Sequence, residues 1–144
     1  MPAIARKTSL LVCLLFLASV LRADTHQDIV DVFASMTAAL SEDNADGFMK
    51  PFDRTMPGYA DLKRQIAGLI LDYTISSSIE PIGDEADGVK HSVDLDWYME
   101  LTSRVETGPT LRRRKVIHCE LRMDGKHWRI LSLKPLSFFS DKDE

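Results

Sequence analysis

Between Val93 and Leu133 apolar residues alternate with polar ones over almost the whole stretch, and this restricts the fold more than any other feature of the chain. Val93, Leu95, Trp97, Met99 and Leu101 are followed by Ile117, Cys119, Leu121 and Met123, and then by Trp128 and Ile130. Successive side chains of a strand point to opposite faces, so a period of two in three consecutive runs predicts three antiparallel strands sharing one apolar face. Glu106-Thr107-Gly108-Pro109 and Asp124-Gly125 supply the reversals, glycine reaching the positive φ that tight hairpins need. Setting Met123 opposite Lys126 places Leu121 against Trp128, Cys119 against Ile130 and Ile117 against Ser132. Setting Val105 opposite Leu111 places Leu95 against Leu121, Trp97 against Cys119 and Met99 against Ile117. Both registers turn the same residues of the middle strand inward, whereas a slip of one residue would invert a whole apolar set.

The reverse of the sheet follows from the same count. Asp94, Arg122 and His127 form one expected row and Asp96, Glu120 and Arg129 the next, with opposite charges adjacent as on a solvated surface. Tyr98, Val116, Leu131 and Leu133 make an apolar patch beyond them. Such a patch is a candidate homodimer interface, or a seat for the C-terminal segment from Pro135 to Phe139.

Upstream, Tyr73, Ile75, Ser77 and Ile79 alternate in a further strand that should end at Pro81, with a polar loop over residues 83–88. Before it the period is helical. Ile29, Val32, Phe33, Met36 and Leu40 recur at three- and four-residue spacing over residues 25–42, which predicts an amphipathic helix. Asn44 is a cap for a short second helix over residues 44–52, and Tyr59, Leu62, Ile66 and Leu69 mark a third over residues 59–71. The expected fold class is therefore α+β, three N-terminal helices covering a curved antiparallel four-stranded meander.

Residues 1–23 have the layout of a secretory signal peptide: Arg6 and Lys7, an apolar run over residues 10–21, and a small residue, Ala23, before Asp24. A single domain over residues 24–144 would remain, exported to the periplasm or secreted, with the membrane involved only through the leader. Loss of Arg6, Lys7 and Arg22 takes the net charge from -4 to -7, which speaks against nucleic acid as a partner. Cys119 is then the sole cysteine, so no internal disulfide forms and packing must stabilise the domain.

The helix with its SEDNADGF continuation and the closing HWRILSLKPLSFF strand resemble the nuclear transport factor 2-like superfamily, the cone-shaped fold of the SnoaL-like proteins, and the chain looks like a small exported member. That resemblance implies a pocket between helices and sheet and frequent homodimerisation through the outer sheet face. It carries over no catalytic residue. Enzymes of the superfamily place acids, bases or tyrosines inside the cone, and the inward strand positions here offer only Ser77, Cys119, Ser132 and Ser103. The acidic pair Asp94 and Asp96 faces arginines, and the histidines stand apart, so no metal site and no cofactor is expected.

The leading expectation is a non-enzymatic binding or association domain. Its apolar pocket would be lined by Tyr59, Tyr73, Trp97, Met99, Ile117, Cys119 and Ile130 and would take a small apolar ligand. An isomerase or dehydratase using Asp53, Tyr59, Asp72 or Tyr73 from the helices is the enzymatic alternative. A purely structural dimeric module built on the outer face is the third.

Overall fold

The structure, a computed structural model, describes residues 25–140; the leader expected over residues 1–23 lies outside them. The chain divides into two units between Asp31 and Val32, whose described residues are 25–31 and 32–140. Helical backbone covers residues 25–41 (α1). The larger unit continues with α2 (Ala45–Met49) and α3 (Tyr59–Asp72), the strands β1 (Tyr73–Asp87), β2 (Lys90–Ser103), β3 (Thr110–Asp124) and β4 (His127–Lys134), and a short 3-10 helix, Leu136–Phe139. The strands form one antiparallel sheet in the order β1-β2-β3-β4. This is the α+β architecture that the alternation predicts.

The helices are cut as their sequences dictate. Asn44 caps α2 by accepting a hydrogen bond from the Gly47 amide at 2.9 Å, and Pro51, which cannot continue a helix, follows its end. α3 starts after Gly58, whose φ of 80° lies in the left-handed region. A Cβ at Gly58 would meet only the end of the Leu136 side chain, so it is the backbone conformation that calls for glycine there. Leu62, Ile66 and Leu69 form the buried stripe of α3, and extended backbone at Tyr73 turns the chain directly into β1.

Three corrections to the expected sheet share one physical logic. β1 does not stop at Pro81 but runs on to Asp87, because Ile82 bulges out between Pro81 and Gly83 and pairing resumes with Gly83 opposite Asp94. An edge strand tolerates both a proline and a bulge. The β2–β3 register pairs Leu95 with Ile117 and Leu101 with Leu111, not Leu95 with Leu121. Residues 103–109 form a wide loop closed by the Gly108 amide donating to the Val105 carbonyl at 2.8 Å. The slip is an even number of residues, so the rows move while the faces stay as counted. Across β3–β4, Met123 meets Trp128 and Leu121 meets Ile130; Leu131 is then the extra residue of a bulge, and Cys119 meets Leu133. The odd step turns the end of β4 over. Leu133, expected on the outer patch, is 2% exposed in the core, and Ser132 lies opposite Glu120 on the outer side.

Candidate functional site

The inner face of the sheet is occupied by the chain itself. Trp97 lies at its centre, with ring centroids 5.0 Å from Phe139, 6.1 Å from Phe138 and 6.2 Å from Phe48. The indole N–H of Trp97 donates to the Ser77 hydroxyl at 2.8 Å, and that hydroxyl donates to the Tyr98 carbonyl at 3.1 Å. The polar group at this depth is thus fully engaged. The 3-10 helix that delivers Phe138 and Phe139 is held by Arg113, whose guanidinium donates to the Phe138 carbonyl at 3.0 Å. The C-terminal segment therefore packs inside, not beneath the outer patch.

Of the seven residues expected to line a pocket, Trp97, Met99, Ile117, Cys119 and Ile130 lie together in this core, all almost inaccessible. Burial pushes the Cys119 thiol far above its ordinary value, with the Glu120 charge adding to it, so the thiolate that reactions require is suppressed. Tyr73 is half-buried where α3 passes into β1. Tyr59 lies elsewhere, on the wall of an open groove of ≈ 1080 Å³.

That groove was not apparent from the sequence. α1 contributes Val32, Ser35 and Ala39 to it, and α2 with its flanks contributes Asp46, Met49 and Lys50. Its far wall is the start of β4, with His127, Trp128 and Arg129. The two walls are tied by a short parallel bridge: the Ile130 amide donates to the Pro51 carbonyl at 2.8 Å, and the Asp53 amide donates to the Ile130 carbonyl at 2.9 Å. Met49, Phe52 and Trp128 are nearly buried in its floor. Lys50, Arg54, Lys63 and Arg129 stand around it against the acids Glu42 and Asp46. Lys50, Arg54 and Lys63 have no ion-pair partner among the described residues, whereas Arg64, Arg104, Arg112 and Arg114 are all paired.

The candidate acid Asp53 is committed elsewhere. Its carboxylate accepts the Thr55 hydroxyl at 2.6 Å and the Thr55 amide at 2.8 Å. These bonds, assisted by the fields of Arg122 and Arg129, hold it below the usual carboxylate range. Asp72 is exposed at the end of α3, where its backbone carbonyl accepts from the Arg104 amide. His91, which has no visible partner in the sequence, meets Asp84 at 2.9 Å and stacks edge-on to Trp128 with centroids 5.1 Å apart. The extension of β1 past Pro81 creates that pair.

On the outer face the charges pair along rows set by the true register. Asp94 meets His118; Arg114 makes two bonds to Asp96, at 3.0 and 2.6 Å, that lower the Asp96 carboxyl. Arg112 and the Tyr98 hydroxyl both donate to Glu100. Val116 is 44% exposed, Tyr98 is half-buried diagonally across from it, and Leu131 lies farther along beside Glu120. Of the four residues expected in the outer apolar patch, the register leaves Tyr98 and Val116 as neighbours.

No protein-family model matches the sequence, and no curated protein is similar to it. Solved structures are. A conserved protein from Planctomyces limnophilus superposes with a TM-score of 0.69 at 10% identity, over 77% of this chain and 94% of that one. A candidate scytalone dehydratase from Novosphingobium aromaticivorans gives 0.70 at 10% identity, over 78% and 83%. A nuclear transport factor 2-like superfamily protein from Salmonella enterica serovar Typhimurium gives 0.63 at 12% identity, over 78% and 89%. At such identities the likeness fixes backbone architecture and leaves chemistry open. The chain has the nuclear transport factor 2-like fold.

Proposed function

We propose that this chain is a non-catalytic binding and association domain of an exported protein, with its cone interior used as core and its recognition carried on the outside. One observation carries the reading: the inner face of the sheet, where the enzymes of this fold keep their chemistry, is packed by Trp97, Phe48, Phe138 and Phe139. Close-packed interiors leave no room for a ligand without displacing side chains. Asp53, the first of the acids that the sequence puts forward, is held as an ionised cap on Thr55, the opposite of a proton donor. Self-association would use the outer face around Val116 and Tyr98, where intramolecular ion pairs already neutralise the flanking charges.

Titration with the neutral lipophile N-phenyl-1-naphthylamine tests the filled interior. The expected result is no saturable fluorescence enhancement and no change in melting temperature. Stoichiometric binding with a rise in melting temperature would show that the cone opens to apolar ligands, and the reading would fall.

A further inference from the structure

We infer that the groove between α1, α2 and the start of β4 is a binding site for a small amphipathic anion, a compact apolar body carrying one carboxylate, sulfonate or phosphate head. The inference rests on the reading that recognition is external, and it locates that recognition.

Charge complementarity selects the occupant. The protein is acidic, with a net charge of -4, yet Lys50, Arg54, Lys63 and Arg129 gather around this one groove and outnumber Glu42 and Asp46. Three of these four cations have no ion pair among the described residues, whereas Lys90, Arg112 and Arg114 on the sheet each meet a carboxylate. Cations that line one groove make its potential positive, and an anionic head answers it through charge-assisted hydrogen bonds. The floor is of a different kind: the nearly buried Met49, Phe52 and Trp128 underlie it, and the half-buried Val32, Pro51 and Tyr59 give it apolar and aromatic surface. A head for the cations and a body for the floor define an amphipathic anion. The walls are preorganised, because the bridge between Pro51, Asp53 and Ile130 locks the α2–α3 connection to β4.

The probe is 8-anilinonaphthalene-1-sulfonate, titrated against the folded full chain in parallel with the neutral N-phenyl-1-naphthylamine. One saturable site is expected for the sulfonate, weakened about tenfold or more by Lys63→Glu or Arg54→Glu and left within about twofold by Lys115→Glu, a control for net charge on the exposed sheet. All three substitutions are at exposed positions, and circular dichroism confirms folding before titration. Absence of binding by either probe overturns the groove site and leaves the filled cone standing. Equal binding of both probes, indifferent to the charge reversals, overturns both. Equal weakening by Lys115→Glu overturns the groove in favour of general attraction.

Discussion

Trp97 and Asp53 show how a single side chain's partners decide what it can do. Trp97 was identifiable as inward-facing from alternation alone, but not the use of its N–H, which depends on Ser77 in a neighbouring strand. A buried indole without an acceptor would cost about 1–3 kcal/mol, so the Ser77 hydroxyl is a structural requirement of the core. Asp53 looks from the sequence like an available acid. In the fold its carboxylate belongs to the Thr55 amide and hydroxyl, and its affinity for a proton is reduced. A carboxyl whose folded value is lowered stabilises fully above the unfolded value, 3.8, and loses that contribution as pH falls through the folded one. Asp53→Ala should therefore lower the melting temperature at neutral pH. Its deficit relative to the wild type should shrink as the pH is taken below 3.8, which thermal melts across an acid series will measure. Constancy of the deficit across that series would remove the carboxylate from the explanation.

Among the elements, even and odd shifts separate what the sequence discloses from what it hides. The β2–β3 register is displaced from the expected one, yet every inward residue of β2 stays inward, since a period of two survives any even slip. The bulge at Leu131 is an odd step, and it reverses Ser132 and Leu133. The local residues carry a signal, since Ser132 between two leucines favours Leu133 inward against the phase set by Trp128 and Ile130, but a strict count from the turn admits no bulge. The continuation of β1 is hidden for a similar reason: Pro81 and Gly83 are turn signals, and only the edge position makes a bulge the cheaper solution. The groove is illegible altogether, being assembled from three separate stretches joined through the Phe52–Ile130 bridge. The two sides of the sheet respond differently to substitution. Leu133→Ala should cost about 2–5 kcal/mol in urea denaturation. Val116→Glu should leave stability within about 0.5 kcal/mol and shift the species seen by light scattering from dimer to monomer. A harmless Leu133→Ala would contradict the bulge, and a monomeric wild type would contradict the outer-face association.

In the molecule as a whole, the larger unit encloses its apolar strand face with its own last helix. Leu136–Phe139 returns beneath the sheet, Arg113 fixes its backbone, and Phe138 and Phe139 complete the aromatic cluster around Trp97. An acidic chain whose one described cysteine, Cys119, is free thus obtains its stability from packing. On the proposed reading, recognition falls to the cationic groove and the outer sheet face. Hydrogen exchange of the Trp97 indole N–H, followed by NMR, examines this arrangement at its centre. If the cone is core, that proton exchanges only through global unfolding, with a protection free energy equal to the stability from denaturant titration. Exchange many orders of magnitude faster would mean that solvent reaches the inner face in the folded protein, and the filled cone would be contradicted.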